Sequence, residues 1–211
     1  MQTVAVVDYG SSNLRSVAKA LEVVADGQSV IVVSSDPEQI RNADRVVFPG
    51  QGAIGDCMAN MQALGLDQAV LEAIKDKPFL GICLGLQSLL EGSDEDGGVT
   101  GMGLIPGRVV RFRPELSSSG TRLKIPHMGW NQVQPTRDHQ LFNGISPGSR
   151  FYFVHSYYVQ PTNHDVVAAT TDYGVTFASA LAQDNLFATQ FHPEKSARDG
   201  LTLLRNFLNW E

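Results

Sequence analysis

The sequence is short of cysteine, of charge and of long apolar runs, and each shortage excludes a class of protein. Only two of its 211 residues are cysteines. Cys57 and Cys83 lie 26 positions apart, which is neither a CxxC pair nor the framework of a disulfide-stapled secreted domain. No stretch approaches the ~18 unbroken apolar residues of a membrane span. The most apolar run, Pro78 to Leu90, is short and carries Cys83 and Gln87. Basic residues are few: 16 Lys and Arg against 22 Asp and Glu give a formal charge of −6. That argues against a protein that grips nucleic-acid backbone, which needs a basic face. The first apolar run meets Asp8 with no basic leader before it, so no signal peptide is expected and a cytoplasmic location is. Charged residues make up 18% of the chain, below the ~25% of ordinary soluble domains, a deficit that fits surface hidden in a partner. The five histidines and two cysteines show no ligand spacing, so no metal is expected.

There is no internal repeat, low-complexity tract or charge block, and the length suits one domain over 1–211 that buries its core without disulfides. The first half reads as strands alternating with helices. Thr3–Val7, Ser29–Val33, Arg45–Phe48 and Phe79–Ile82 are apolar, β-rich strands. Between them Leu14, Val17, Ala18, Leu21 and Val24, and later Leu66, Ala69, Val70, Ala73 and Ile74, recur at helical spacing. Asp36–Ile40 opens with an N-cap and a proline, as a helix start does. Strand, helix, strand, helix implies parallel pairing with helices on both faces, an α/β fold with a mainly parallel central sheet. The second half changes character. Val109–Phe112, Trp130–Val133, Phe151–Val154, Val166–Thr170, Val175–Ala180 and Leu186–Gln190 read as short strands between Gly, Pro, Asn and Asp turns. Helical patterning returns only at Leu201, Leu204, Phe207 and Leu208. An additional β-rich layer is therefore expected to pack against or extend the parallel sheet.

Pro78–Gln87 is the most informative segment. An apolar strand runs into Cys83, and Leu84, Leu86, Leu89 and Leu90 follow as helix-compatible residues. Gly81 and Gly85 stand two residues either side of the cysteine, as a sharp strand-to-helix turn requires where the backbone passes close to itself. Such a turn presents the sulfur at the carboxyl end of a parallel strand, where open sheets bind ligands. It also sets the sulfur at a helix N-terminus, whose dipole favours the thiolate. Free cysteines are more often simply buried; the paired glycines favour a nucleophile at Cys83, whereas Cys57 has no such setting and reads as structural.

Leu186–Gln190 leads into Phe191-His192-Pro193-Glu194. In an extended chain i and i+2 share a side, so His192 and Glu194 lie together, with Pro193 stiffening the link and suppressing helix. A carboxylate beside an imidazole holds its tautomer, and the imidazole takes the nucleophile's proton. His127, His139, His155 and His164 lack such a partner and read as polar termini. Cys83, His192 and Glu194 together make a covalent acyl-transfer triad, which needs oxyanion donors. Gly50, Gln51 and Gly52, a turn at a strand end, and the N–H of Leu84 are candidates. Taken by itself that turn is equally a plain β–α loop.

With these pieces in view, the sequence resembles the class I, triad-type glutamine amidotransferases. The Gly-x-Cys-x-Gly-x-Gln elbow at Gly81–Gln87 and the late His192-Pro-Glu194 are that family's two defining motifs. Asp8–Val17, Pro126–Asn131, Tyr152–Tyr157 and His192–Ser196 narrow the likeness to glutaminase subunits of histidine biosynthesis. The resemblance implies the family's α/β, flavodoxin-like fold and no cofactor. It implies that Cys83 attacks the side-chain amide of glutamine and that Gln87, Glu95, Ser156 and Tyr157 hold that substrate. By itself Glu95 lies in an acidic, solvated-looking loop. The resemblance further implies a (β/α)8-barrel cyclase partner in a heterodimer, receiving ammonia by a sheltered route, with Asn13, Trp130, Tyr152 and Lys195 at the docking face. From sequence, Lys195 reads nearly as well as a solvent lysine. The chain runs 17 residues past Glu194, so the user of the ammonia is expected on another polypeptide. Many relatives carry a small apolar residue where this chain has Gln51. That departure leads to the expectation that the turn's amide points away from the sulfur until the partner and its substrate dock. Three other readings compete: the same chemistry serving guanylate, anthranilate or pyridoxal phosphate synthesis, a catalytically silent docking subunit, and a metal-site protein, the weakest.

Overall fold

A computed structural model describes residues 1–113 and 122–211. In the first half, β1 (Gln2–Val7), α1 (Leu14–Ala25), β2 (Ser29–Ser34), α2 (Pro37–Asn42), β3 (Arg45–Gly50), α3 (Ile54–Leu64), α4 (Leu66–Asp76) and β4 (Phe79–Cys83) alternate as the periodicity requires. Leu14, Val17, Leu21 and Val24 are the buried stripe of α1. Asp36 caps α2 by accepting from the Glu38 N–H, with Pro37 at the first helical position, where a missing N–H costs nothing. Helix α3 is an addition to the sequence reading: its buried residues Ile54, Cys57, Met58 and Met61 are fewer and less regularly spaced, so the stripe is faint.

Beyond the elbow come α5 (Leu84–Gln87), β5 (Leu90–Ser93), β6 (Val99–Thr100), β7 (Ile105–Arg111), β8 (His127–Gln132), β9 (Gln134–Pro135), β10 (Arg150–His155), β11 (Tyr157–Pro161), β12 (Val167–Asp172), β13 (Thr176–Gln183), β14 (Leu186–Thr189) and α6 (Ala197–Leu208). Eight strands form one sheet in the order β2-β1-β3-β4-β14-β13-β12-β9. Its first five strands pair in parallel and its last three antiparallel. A four-stranded sheet, β11-β7-β5-β6, and the two-stranded β10-β8 ribbon complete the β-rich layer. The second half thus both extends the parallel sheet and builds further layers.

Alternation along the central strands sends side chains to two cores. Val4, Val6, Val47, Leu80 and Ile82 face α1 and α6 on one side. Ala5, Val7, Val46, Phe48 and Phe79 face α2, α3 and α4 on the other. Because β14 lies beside β4, with Thr189 opposite Ile82, the carboxyl ends of two strands a hundred residues apart in sequence become neighbours. No helix among the described residues is long and apolar enough to cross a membrane.

Candidate active site

Cys83 closes β4 at φ 55°, ψ −101°, a backbone conformation that costs a side-chain-bearing residue on the order of 1–3 kcal/mol and persists only where its surroundings enforce it. The enforcement is visible at the glycines. A Cβ on Gly85 would lie 1.9 Å from the Phe48 carbonyl oxygen, and one on Gly81 would lie 3.0 Å from Ala188 Cβ and 3.2 Å from the Gly85 backbone. Of the helix-compatible residues after the sulfur, only Leu84 and Leu86 are helical: α5 is a single turn that ends at Gln87, and Leu90 already belongs to β5. Ser88 bonds back to Leu84, Leu89 lies in the turn, and Leu90 opens β5 of the four-stranded sheet. Four residues carry little aligned dipole, so charge on the sulfur depends on its side-chain neighbours.

His192 is one such neighbour. Its backbone is tied on both sides, the N–H donating to Tyr152 O at 2.9 Å and the C=O accepting from Ser196 Oγ at 2.6 Å. Its Nδ1 lies 2.8 Å from Glu194 Oε1, with both side chains essentially sealed from solvent at 1% and 0% exposure. The sequence placed Glu194 on His192's side by extended geometry with helix suppressed; the structure does it differently. Pro193–Lys195 is a 3-10 turn with Pro193 at its start, where fixed φ favours helical entry, and the turn folds Glu194 back onto the ring. Nδ1–H donates to the carboxylate, which leaves Nε2 toward the sulfur; it has no hydrogen-bond partner at normal geometry. Burial opposes charge on this imidazole, but the thiolate form of Cys83 and the Glu194 carboxylate outweigh it and push His192 up to about 10.

Asn13 Nδ2 donates to the same Glu194 Oε1 at 2.6 Å. It is 9% exposed, so this residue, expected at a docking face, sits behind the carboxylate. Trp130 is 45% exposed and Met128 beside it 62%; Trp130 pairs across the ribbon with Tyr152, their rings edge to face at 6.2 Å. Lys195 is half-buried one position beyond Glu194.

A cavity of about 330 Å³ opens at the sulfur. Cys83, Leu84, Gln51 and Gly52 line it together with Gln87, Glu95, Ser156 and Tyr157. Gly50 faces Cys83 across the β3–β4 pair, which sets the glycine turn at the nucleophile's edge. Gln51 Nε2 is buried without a partner. Glu95 is anchored, its Oε2 accepting the Ile54 N–H at 3.1 Å, so the acidic loop is docked on the start of α3 rather than free in solvent. Larger cavities, about 800 and 750 Å³, flank Tyr158 and Gln160; neither holds a cysteine or pairs a histidine with a carboxylate. Among the described residues no three His, Cys, Asp or Glu converge as metal ligands would.

Two features escaped the sequence reading. Gln190, fully buried, donates from Nε2 to Cys83 Sγ at 3.6 Å. Its position two residues before His192 in an extended segment was the available signal. His127 and His155 do stand at strand ends, of β8 and β10, but as a buried pair, Nδ1 to Nε2 at 2.9 Å, and burial lowers them to about 4 and about 3. Cys57 is buried against Ser88 Oγ at 3.6 Å, and burial pushes its thiol up to about 11, the setting of an inert core thiol.

The family model for glutamine amidotransferase class-I matches residues 5–210. The imidazole glycerol phosphate synthase subunit HisH of Dechloromonas aromatica (strain RCB) is 58% identical over 212 residues, covering 100% of this chain and 97% of that one. The protein of the same description from Nitrosococcus oceani is 58% identical over 210 residues, covering 100% and 98%. Among solved structures, a glutamine amidotransferase superposes with TM-score 0.71 at 17% identity over 98% of this chain and 97% of that one. The Trypanosoma brucei CTPS glutaminase domain with bound acivicin gives 0.67 at 15% identity over 100% and 95%. These two likenesses speak for the fold alone.

Proposed function

We propose, on the premise that this chain belongs to the class I glutamine amidotransferases, that it is the glutaminase subunit of an imidazole glycerol phosphate synthase. It hydrolyses glutamine to glutamate and ammonia and passes the ammonia to a cyclase subunit. That subunit, a (β/α)8 barrel forming a heterodimer with this chain, converts a phosphoribulosyl-formimino aminoimidazole carboxamide ribonucleotide to imidazole glycerol phosphate and an aminoimidazole carboxamide ribonucleotide. The observation that carries the reading is a buried His192–Glu194 pair coupled to a strained cysteine at the mouth of a cavity large enough for one amino acid. The relatives' printed descriptions favour this acceptor over guanylate, anthranilate or pyridoxal phosphate synthesis.

In this mechanism the Cys83 thiolate attacks the side-chain amide carbon of glutamine. The oxyanion is met by the N–H of Leu84 and by the Gly50–Gly52 turn. The carbon–nitrogen bond breaks as the His192 imidazolium hands its proton to the departing amine, releasing ammonia and leaving a glutamyl thioester. Water then attacks the thioester as His192 takes a proton, and glutamate leaves with the sulfur restored. Glu194 holds the ring in the productive tautomer, and Asn13 fixes Glu194. Glu95 suits the ammonium of glutamine and the backbone of Ser156 and Tyr157 its carboxylate end, while Gln87, whose Nε2 donates to Gln190 Oε1 and Tyr157 O, lines the pocket beside them.

Ammonia protonated in bulk water ceases to be a nucleophile, which gives a docked, sheltered acceptor its purpose. The docking face takes in exposed Trp130 and the adjoining Tyr152 and Lys195, with Asn13 reaching it through Glu194. Gln51 Nε2 is buried with no protein partner, which fits a resting turn that rearranges before it becomes productive. Docking supplies that rearrangement. Two free cysteines fit the reducing cytoplasm. The test is steady-state glutamate release by wild type, Cys83→Ala and His192→Ala, each with and without the barrel cyclase and its nucleotide. Wild type is expected to be slow alone and fast in complex, and both variants to be inactive throughout. Equal turnover with and without the cyclase refutes the resting turn, and activity in Cys83→Ala refutes the mechanism.

A further inference from the structure

Gln190 does not hang free beside the sulfur. Its amide has one orientation available, because Gln87 Nε2 lies 3.1 Å from Gln190 Oε1 and an amide nitrogen can only donate. Reversing Gln190 would set two NH2 groups against each other. Gln87 is fixed in turn, since its Nε2 also donates to Tyr157 O at 3.0 Å. The same carbonyl accepts from His155 Nδ1 at 2.8 Å, which makes Nδ1 the protonated nitrogen of a neutral ring. His155 Nε2 must then accept, so His127 Nδ1 donates to it, and His127 Nε2 accepts from Asn131 Nδ2 at 3.2 Å. Asn131 is itself held by donating to Asp172 O at 2.8 Å and accepting from the Gln132 N–H. Each assignment follows from the one before it. Asn131 lines a separate surface pocket of about 370 Å³ with Trp130 and Tyr173.

We propose that Gln190 is the positioning residue of the Cys83 sulfur and that its amide is set from the Asn131 surface through this unbroken chain of hydrogen bonds. The inference rests on Cys83 being the nucleophile. Gln190 aims a donor at the sulfur while Oε1 is occupied elsewhere, which steadies the attacking form without competing for glutamine. The chain makes no proton wire: Tyr157 O only accepts and Gln87 Nε2 only donates, so what passes along it is orientation. A change at Asn131 reorients two imidazoles, the Tyr157 peptide and finally the Gln190 amide.

The test measures kcat and KM for glutamine in the complex with the cyclase, with thermal melting of each variant. Gln190→Met keeps the length and apolar bulk but removes the donor; kcat is expected to fall about ten-fold, the lower end for a hydrogen bond to an ionised group, with KM within two-fold. Gln190→Glu keeps the acceptor for Gln87 and opposes the sulfur with negative charge, so its loss is larger. At the far end, His127 stacks between Phe153 and Tyr173, at 4.7 and 4.0 Å between centroids. A packing role ranks His127→Phe above His127→Asn in both melting temperature and kcat. The relay reverses the second ranking, because the Asn amide nitrogen reproduces the Nδ1 donor to His155 and Phe does not. Gln190→Met within two-fold of wild type, or His127→Phe turning over as fast as His127→Asn, overturns the proposal. Activity surviving in Cys83→Ala would instead defeat the underlying reading, a result the other variants cannot mimic.

Discussion

The elbow offers the sharpest test because its tolerance can be read off atom by atom. Replacing Gly85 by Ala puts a methyl 1.9 Å from the Phe48 carbonyl oxygen. Contacts of real Cβ atoms essentially never fall below 3.0 Å, so β3 and the elbow must part by at least about 1.1 Å. The obstructing atom is backbone in a strand paired on both sides, to β1 and to β4, and cannot swing aside as a side chain would. Overpacking of this kind costs about 3 kcal/mol at the upper end of its usual range, equivalent to roughly 6–12 °C in Tm for a domain of this size. A displacement near 1 Å at a nucleophile costs on the order of a hundred-fold in rate. Gly81→Ala is the graded companion: its methyl meets Ala188 Cβ at 3.0 Å and Gly85 backbone at 3.2 Å, so a few tenths of an ångström suffice and the loss is smaller. Thermal melting and glutamate release of the three proteins decide it. A Gly85→Ala protein that melts and turns over like wild type would refute the claim that these glycines exist to let the strand and turn approach.

Asn13→Leu removes a 2.6 Å donor to Glu194; turnover is expected to fall about ten-fold through loss of a charge-assisted bond, and an unchanged rate in the free chain would confine Asn13 to docking. Stability should bend with pH in two windows. His127 and His155, held by burial at about 4 and about 3, titrate near 6.5 when unfolded. Their contribution is complete above about pH 6.5 and is lost as pH falls, at up to about 1.4 kcal/mol per pH unit for each. His192, raised to about 10, has the opposite sign: its contribution is present below about pH 6.5 and lost as pH rises toward 10. Urea midpoints from pH 4 to 10 check both, and an acid limb as steep in His155→Gln as in wild type would contradict the first. Cys57→Ala should leave turnover unchanged, with a glutamine-derived diazoketone still labelling Cys83; labelling at Cys57 would show its buried thiol to be reactive.

Local chemistry made much of this protein legible before any coordinates. Alternating apolar periods in the first half can satisfy their backbones only as β–α units, and glycines either side of Cys83 already announce a turn without room for a Cβ. His192 and Glu194 lie close enough in sequence that either an extended link or the observed 3-10 turn brings them together. What lay beyond local reading depended on partners far along the chain. The insertion of β14 beside β4 decides that residues 83 and 192 meet, and strand order is settled by which faces bury together, not by any strand's own composition. Gln190, Asn13 and the His127–His155 pair look like ordinary polar residues in sequence. Their roles arise from single hydrogen bonds spanning 107, 181 and 28 positions. A hydrogen bond is directional and short-ranged, so only the folded arrangement says which donor finds which acceptor.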